Sequence, residues 1–432
     1  MKITRPGFTR LLCIAVCTIL ILPPAAAGSD RIKPDPLSYV SPSRDFDVEH
    51  TILDLDLDLK NQSIAGSVTH ILTALKPGVK VIRLNCVALN VEKVTIDGRP
   101  VAFDHPVPGD RSTSWIETAA TTESADELVI FVREPFKRGI TFDLEVHYYG
   151  EPKVGLYFVA PEKGISEKRY EVWSQGEGED NRYWIPCFDY PNDKATFEAR
   201  YRVDEGYYAL SNGVLQGTRE VDGKIEYHWK LDTPQVSYLI MAAAGEYEIV
   251  EEMWRDVPLM YLVPPGTGEE TTRRAYGLTP DMVDFFSDYT GIDYPFKKYA
   301  QVTVQNFIYG GMENTTATVM NKRMLYDDHM GVTKTQQGLV AHELAHMWWG
   351  DMVTCAEWSH LWLNEGFATS FQQLYRGYHE GDDAFRYEVD ERYRKTIAKD
   401  EKEARPIVVD FYNRKGSKNS ANVYTKGQGV LH

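Results

Sequence analysis

The chain has 432 residues, of which 43% are hydrophobic and 25% are charged, and its formal net charge is −16. This length is enough for two or three domains, and the composition is that of a globular protein. The acidic balance argues against nucleic acid and against an anionic membrane surface as partners.

The first 27 residues have the pattern of a secretory signal peptide. Lys2, Arg5 and Arg10 form a basic segment, an apolar run follows over Leu11–Leu22, and small residues end the segment near Ala27. The apolar run is too short for a comfortable membrane span. We therefore expect export to the periplasm or the exterior, with no stable membrane insertion after cleavage. An uncleaved membrane anchor is the alternative.

Three cysteines remain after this segment, Cys86, Cys187 and Cys355, and they lie far apart in the sequence. An odd number of cysteines without metal-ligand spacing is no disulfide framework, even in an exported protein. We expect buried free thiols and at most one disulfide bond.

Residues 28–44 are polar and rich in proline, and we expect a flexible lead-in there. Residues 45–250 have the pattern of strands, and we expect an all-β domain. In Thr51–Lys60, leucines alternate with aspartates, as in a half-buried strand with one solvated face. Asp97-Gly98 and Asp222-Gly223 are signals for hairpin turns. Further strands are expected at Leu128–Val132, Thr141–Tyr149, Phe197–Val203 and Val236–Ala244.

The pattern changes near Thr271, and residues 251–432 are expected to form an α/β region in which helices dominate. The predicted elements are a helix over Thr271–Tyr289, a strand over Tyr299–Phe307, and helices over Thr333–Trp349, Leu361–Tyr378 and Asp382–Asp400. The last residues form an apolar run that resembles the start of a helix without a C-terminal cap. We therefore expect a fragment, with more protein downstream.

The sequence H-E-x-x-H at 342–346 is the strongest chemical signal in the chain. On a helix, His342 and His346 project from one face, one turn apart, and together they can hold a zinc ion. Glu343 lies beside them and is placed to take a proton from a water molecule.

A catalytic zinc site needs a third protein ligand, and two extensions of the motif compete for that role. A metzincin would have glycine and histidine where this chain has Trp349 and Met352. A glutamate on the next helix is the other option, and Glu365 supplies it, with eighteen residues between His346 and Glu365. This spacing favours a site made of two histidines, one glutamate and one open position.

Three other segments carry groups that suit catalysis. Y-G-G-M-E-N at 309–314 has glycines that let a backbone approach a ligand closely. Q-G-E at 175–177 belongs to a glycine-rich acidic loop. The hydroxyl group of Tyr424 is a neutral hydrogen-bond donor at pH 7. By themselves, these segments are better explained as a tight turn, a solvated loop and an ordinary aromatic residue.

Taken together, these motifs resemble the M1 family of zinc aminopeptidases, the gluzincins related to aminopeptidase N and leukotriene A4 hydrolase. The similarity extends from about Asp45 to the last residue, and it includes the P-C-x-D-x-P segment at 186–191 and Y-x-K-G at 424–427. The family's G-A-M-E-N has alanine where this chain has Gly311. The resemblance implies a saddle-shaped N-terminal β domain over 45–250. It also implies a thermolysin-like, mainly helical catalytic domain over 251–432 that is incomplete at its C-terminal end.

The resemblance also implies the roles of the catalytic residues. His342, His346 and Glu365 would hold one zinc ion, which would polarise the scissile carbonyl group and lower the pKa of its bound water. Glu343 would act as general base, and Tyr424 would donate a hydrogen bond to the oxyanion.

Substrate recognition is implied in the same way. Glu313 and Glu177 would bind the free α-ammonium group of a peptide, so that a blocked N-terminus is rejected. The backbone at Gly310 and Gly311 would position the first peptide unit, and Met312 would line the pocket for the first side chain.

The expected activity is therefore the removal of N-terminal amino acids from peptides. The alternatives are an epoxide hydrolase similar to leukotriene A4 hydrolase, an endopeptidase of the thermolysin type, and a catalytically silent truncated homologue that acts as a binding protein. Glu313 and Glu177 argue against the endopeptidase, and the intact metal motif argues against the silent homologue. The epoxide hydrolase stays open.

Overall fold

The computed structural model describes residues 42–105, 126–165, 168–326, 337–402, 404, 406–408 and 422–432. The predicted signal peptide and residues 28–41 of the predicted lead-in lie outside the described residues, as do residues 333–336 of the predicted metal-binding helix. Among the described helices, none combines the length and the apolar character that a membrane crossing requires.

The first region is built from β-strands, as predicted. Its strands in chain order are β1 (Phe46–Asp58), β2 (Ser63–Ala74), β3 (Val79–Asn85), β4 (Asn90–Ile96), β5 (Arg99–Pro100), β6 (Ala102–Asp104), β7 (Glu127–Phe136), β8 (Thr141–Gly150), β9 (Leu156–Val159), β10 (Glu171–Ser174), β11 (Ala195–Asp204), β12 (Tyr208–Ser211), β13 (Val214–Val221), β14 (Lys224–Gln235) and β15 (Ala242–Gly245).

These strands form three sheets. The largest has the order β13-β14-β11-β1-β2-β8-β4-β5, in which β1 and β11 are parallel and the other neighbours are antiparallel. The smaller sheets have the orders β12-β15-β10-β9 and β3-β7-β6. In β1 the leucines are buried and the aspartates between them are half-buried, which confirms the face predicted from the alternating pattern.

The two Asp-Gly signals form the hairpin turns that the sequence predicts. Asp97 and Gly98 join β4 to β5 with φ of 49° and 72°, and Asp222 and Gly223 join β13 to β14 with φ of 51° and 77°. Two successive residues with positive φ give a turn whose twist matches that of the strands.

The prediction of one strand over Val236–Ala244 is wrong. After β14 the chain makes a short 3-10 helix at Ser237–Leu239, and β15 begins only at Ala242. The side-chain amide of Asn181 donates to the carbonyl groups of Ser237, at 2.6 Å, and Ile240, at 3.3 Å, and so stabilises the turn. An apolar run without clear periodicity does not reveal such a turn, because burial alone explains the pattern.

The second region contains a five-stranded sheet and the helices. Its strands are β16 (Glu248–Trp254), β17 (Val257–Val263), β18 (Tyr299–Val304), β19 (Gly311–Met312) and β20 (Ala317–Asn321), in the order β16-β17-β18-β20-β19. β18 lies at the centre, parallel to β17 and β20. Strand β16 crosses residue 250 and pairs with β17 along its length, so residues 248–250 belong to this sheet.

The helices are α1 (Glu269–Tyr276), α2 (Thr279–Thr290), α3 (Gln337–Ala345), α4 (Trp362–Glu380), α5 (Asp382–Asp400) and α6 (Gly427–Leu431). Helices α4 and α5 confirm predicted helices, and α6 contains the apolar run that resembles the start of a helix. Helix α3 corresponds to the helix predicted over Thr333–Trp349, but it ends at Ala345. The single helix predicted over Thr271–Tyr289 is wrong. It is divided into α1 and α2 at Gly277, and Pro280 lies in the first turn of α2. Proline fits the first turn of a helix and disfavours its continuation from the preceding residues.

The predicted order of an all-β region followed by a mainly helical α/β region is thus confirmed. The three cysteines that the structure describes, Cys86, Cys187 and Cys355, are buried and free, as expected.

Candidate functional site

Helix α3 and the residue that follows it carry the two histidines of the motif. His342 is 9% exposed and lies within the helix, and His346 is 1% exposed and follows its last residue. The backbone N–H of His346 still donates to the carbonyl group of His342, at 3.3 Å, so the helical turn continues past the end of α3. As the spacing predicts, the two imidazoles face each other, with 3.2 Å between their Nε2 atoms.

Helix α4 brings Glu365 to the same point. Its Oε2 atom lies 3.2 Å from Nε2 of His342 and 3.5 Å from Nε2 of His346. The side chain of Asn364, one residue earlier, accepts a hydrogen bond from the backbone N–H of Cys355, at 3.0 Å. This bond ties the first turn of α4 to the loop that follows α3.

These three side chains fit a zinc ion. Nδ1 of His346 lies 2.9 Å from the carbonyl oxygen of Trp349, which assigns the proton to Nδ1 and leaves the Nε2 lone pair facing His342. Donor atoms 3.2–3.5 Å apart match a tetrahedral ion, for which Zn–N bonds of about 2.0–2.1 Å imply roughly 3.3 Å between ligands. The geometry therefore brings together the three residues predicted as ligands.

A second group of acids adjoins this triad. Ligand atoms of Glu313, Glu343 and His346 all lie within 4.8 Å of one another, and all three residues are buried. Burial raises the pKa of Glu313 and that of Glu343, and the charge of Glu365 adds to both shifts. Burial opposes protonation of His346, but the charges of Glu313 and Glu365 outweigh it and raise its pKa. The concentration of buried carboxylates favours a cation at this point.

Glu177 approaches the site from the β-rich region. It is half-buried, and its backbone N–H donates to the side-chain oxygen of Gln175, at 3.1 Å. Its charge contributes to raising the pKa of both Glu343 and Tyr424, which places it beside the same cluster. The structure thus joins the two acidic segments that the sequence separates by more than a hundred residues.

Tyr424 lies in a π-helical turn at Asn422–Lys426. Its hydroxyl group donates to Oε1 of Glu365, at 3.0 Å, and its ring stacks against that of His342 at 6.1 Å between centroids. The charge of Glu365, with burial, raises the pKa of Tyr424, so the phenol stays protonated and remains a donor. Lys426 fixes the turn through a 2.6 Å ion pair with Asp400 on α5.

The glycines before Glu313 pack directly on α3. A Cβ atom built on Gly311 would lie 2.4 Å from Cδ and Oε1 of Glu343, and one on Gly310 would lie 3.1 Å from the side chain of Leu339. Met312 is 1% exposed and pairs with Val319 in the sheet. The space that the alanine methyl group of G-A-M-E-N would need is therefore taken here by the carboxylate of Glu343.

Sequence reasoning missed two residues of the β-rich region that support this site. The hydroxyl group of Tyr238 donates to Oε1 of Glu313, at 3.4 Å, and Nζ of Lys194 donates to the carbonyl group of Asp351, at 2.9 Å. Tyr238 lies in the run that was predicted as a strand, and Lys194 follows the P-C-x-D-x-P segment. Neither position carries a local signal, because each contact joins residues far apart in the sequence.

Two family models match this chain. The peptidase M1 N-terminal domain matches residues 36–239, and the peptidase family M1 domain matches residues 274–432.

Several curated proteins are similar in sequence. A leucyl aminopeptidase of Saccharolobus solfataricus is 31% identical over 66% of this chain and 34% of its own length. Leucine aminopeptidase 2 of Candida glabrata is 28% identical over 80% of this chain and 49% of its own length. A glutamyl aminopeptidase of Rattus norvegicus is 34% identical over 48% of this chain and 22% of its own length. The chain therefore spans less than half the length of these relatives.

Two solved structures share the fold. An M1 zinc metallopeptidase from Deinococcus radiodurans, crystallised as a mutant bound to a Tyr-Ser-Ala substrate, has a TM-score of 0.71 at 22% identity, over 90% of this chain and 82% of that one. Native yeast LTA4 hydrolase has a TM-score of 0.75 at 22% identity, over 94% of this chain and 62% of that one. With its β-rich region matched by one model of the family and its metal-binding region by the other, the chain belongs to peptidase family M1.

Proposed function

We propose that this chain is the N-terminal and catalytic part of a zinc aminopeptidase, which removes N-terminal amino acids from peptides and holds one zinc ion per chain. The observation that carries the proposal is the position of Glu313, whose carboxylate lies within 4.8 Å of both Glu343 and His346. A buried carboxylate at this distance from a metal triad provides a partner for a substrate ammonium group beside the reacting carbonyl group.

The division of work among the residues follows from their positions. His342, His346 and Glu365 would hold the zinc ion, which when bound supplies a Lewis acid for the scissile carbonyl group. Glu343 takes a proton from the attacking water on its carboxylate and returns it to the nitrogen of the leaving amine. The carboxylate of Glu343 packs against Gly311, at the edge of the sheet, and this packing fixes its position for the proton transfer.

Tyr424 stabilises the developing negative charge. Its hydroxyl group donates to Glu365, lies beside His342 and is a neutral donor. A donor directed at the oxyanion is worth roughly 3–4 kcal/mol of transition-state stabilisation in comparable sites.

Glu313 and Glu177 select a free N-terminus. Glu313 is 4% exposed and Glu177 is half-buried, so water solvates these carboxylates poorly. A charged amine would supply the hydrogen bonds and the opposite charge that water does not. An acetylated N-terminus carries no charge and would leave both carboxylates without a partner. The backbone at Gly310 and Gly311 would position the first peptide unit, with Met312 beneath the pocket for the first side chain.

The relatives support the same activity. The curated proteins reported above are a leucyl, a leucine and a glutamyl aminopeptidase, and one structure of the same fold holds a tripeptide substrate. Because the chain spans less than half the length of those relatives, the activity of the whole protein is part of the proposal.

The test is hydrolysis of a panel of aminoacyl anilides and one N-acetylated counterpart by the zinc-loaded chain, with Glu343→Ala as control. Cleavage of free but not blocked substrates, lost in Glu343→Ala, is the expected result. Equal cleavage of the acetylated substrate would overturn the amine-binding roles of Glu313 and Glu177.

We also propose that the protein is exported. The support is the pattern of residues 1–27, a basic segment, an apolar run of intermediate length and small residues at its end. Fractionation of cells that produce the chain, with N-terminal sequencing of the mature form, tests this. An N-terminus at Met1 in the cytoplasm would contradict it.

A further inference from the structure

Tyr238 reaches from the β-rich region into the buried acidic cluster. It lies in the 3-10 helix after β14, is 1% exposed, and donates from its hydroxyl group to Oε1 of Glu313 at 3.4 Å. The same hydroxyl oxygen accepts a hydrogen bond from Nδ2 of Asn364, at 3.0 Å. Because the hydroxyl oxygen of Tyr238 accepts the hydrogen bond from Asn364, its own proton points toward Glu313.

This contact extends a chain of hydrogen bonds across the site. The backbone N–H of Cys355 donates to Asn364, Asn364 donates to Tyr238, and Tyr238 donates to Glu313. All four residues are at most 4% exposed. In such surroundings, water does not replace a lost partner, so each bond restricts the orientation of the next group.

Tyr238 also contacts the loop that carries the other carboxylate. A Cβ atom built on Gly176 would lie 2.4 Å from the carbonyl oxygen of Tyr238, so the backbones of the two segments touch. Glu177 follows Gly176 directly. The ring of Tyr238 is held from another side by Trp358, at 5.1 Å between ring centroids. One residue thus contacts Glu313 through its side chain and the Glu177 loop through its backbone.

We propose that Tyr238 is a positioning residue for amine recognition. It orients the carboxylate of Glu313 and fixes its position relative to the loop that carries Glu177. This rests on the proposed function, in which these two carboxylates bind the substrate ammonium group. Tyr238 itself does not touch substrate, and its effect is transmitted through Glu313.

The experiment measures binding rather than turnover. Amino alcohols with a free α-amine, which have no amide bond for the chain to hydrolyse, and their N-acetylated counterparts, are titrated calorimetrically into the zinc-loaded chain and into Tyr238→Phe. Loss of a hydrogen bond to a buried charged group weakens the affinity for the free amine by about ten-fold, with little change for the acetylated counterpart. In a Glu313→Gln background the same substitution changes affinity less than about two-fold, because the acceptor charge is already gone.

Tyr148→Phe is the matched control. Tyr148 is also 1% exposed in the β-rich region, and its hydroxyl group donates to the carbonyl group of Trp184 at 2.9 Å, a contact that does not reach the acidic cluster. This variant loses a buried hydrogen bond and is expected to keep wild-type affinity. Thermal unfolding and zinc content are measured for every variant, so that a general loss of structure is seen directly.

Three results would overturn the inference: an unchanged affinity in Tyr238→Phe, an equal loss for the acetylated counterparts, or an undiminished loss in the Glu313→Gln background. If the unsubstituted chain binds free and acetylated ligands equally well, the proposed function is wrong, and the inference that rests on it is wrong too. This result is seen in the unsubstituted chain, so it is distinguished from a failure that appears only in Tyr238→Phe.

Discussion

Lys194 and Asp351 join the two regions of the chain: Nζ of Lys194 lies 2.9 Å from the carbonyl oxygen of Asp351 and 3.0 Å from that of Met352. These carbonyl groups belong to the segment just after His346. A cation from the β-rich region therefore donates hydrogen bonds to two backbone carbonyl groups of the loop between α3 and α4.

Lys194→Met should destabilise the chain. The substitution leaves two carbonyl groups without their charged donor, and we expect a loss of about 2–4 kcal/mol in the free energy of unfolding. Urea denaturation measures it. Lys60→Met, which removes an exposed ion pair with Asp204, is the control and should cost much less, because water screens an exposed pair. Equal losses in the two variants would contradict the bridging role of Lys194.

Glu343→Gln should separate chemistry from metal binding. Glutamine keeps the size of the side chain beside Gly311 but does not accept a proton at neutral pH. We expect one zinc ion per chain, as in the unsubstituted protein, with turnover of aminoacyl anilides lowered by about 10²–10⁴. Zinc analysis and initial rates on the same preparation decide this. Substantial turnover in Glu343→Gln would rule out its role as general base.

Glu365→Gln should weaken zinc binding, because the triad loses its only anionic ligand. A zinc concentration one hundred times the dissociation constant raises the free energy of unfolding of the unsubstituted chain by about 2.7 kcal/mol. Removal of zinc with a chelator should abolish this increment, and in Glu365→Gln the same zinc concentration should produce little of it.

Glu357→Gln is the control for that comparison, because Glu357 is an exposed carboxylate in the loop before α4. It should retain the full zinc-dependent increment. If Glu365→Gln also retains the full increment, Glu365 is not a ligand.

Gly311→Ala should displace the general base. Its methyl group would occupy a position 2.4 Å from the carboxylate of Glu343, so the side chain must move. We expect a several-fold lower kcat with unchanged zinc content, because the metal ligands do not contact this methyl group. Steady-state kinetics and zinc analysis test it. Unchanged kcat would contradict this expectation and show that Glu343 moves to an equally productive position.

Glu171 should make stability depend on pH. Burial raises its pKa from 4.5 to about 7, against hydrogen bonds from Gln305 and the charge of Arg169, which lower it. Between about pH 4.5 and 7, the carboxyl group of Glu171 is therefore protonated in the folded chain and ionised in the unfolded chain. The free energy of unfolding therefore falls as the pH rises through this window, by about 3 kcal/mol at most.

In Glu171→Gln this contribution is absent, so urea denaturation at pH 5 and pH 8 should show a smaller difference than in the unsubstituted chain. The backbone N–H of Gln305, 2.7 Å from Oε2 of Glu171, can still donate to the glutamine oxygen. An unchanged pH difference would show that Glu171 is ionised throughout this range.

The elements that the sequence predicts well have a strong local cause. Alternation in β1, the two Asp-Gly turns and the limits of α5 follow from the conformations that single residues and their near neighbours prefer. The prediction fails at Val236–Ala244 and at the break between α1 and α2. In the first case a distant side chain, Asn181, stabilises a turn that no local pattern marks.

The sequence by itself predicted the candidate metal ligands, because a separation of four residues on a helix places His342 and His346 side by side, and Glu365 follows at a distance that fits a second helix. Only the tertiary structure decided how Glu313, Glu177 and Tyr424 surround them, and that Tyr238 and Lys194 support the site. The bonds of Tyr238 to Glu313 and of Lys194 to Asp351 span 75 and 157 residues. Contacts at such separations depend on how the β-rich region packs on the helices. Local conformational preferences do not predict that packing.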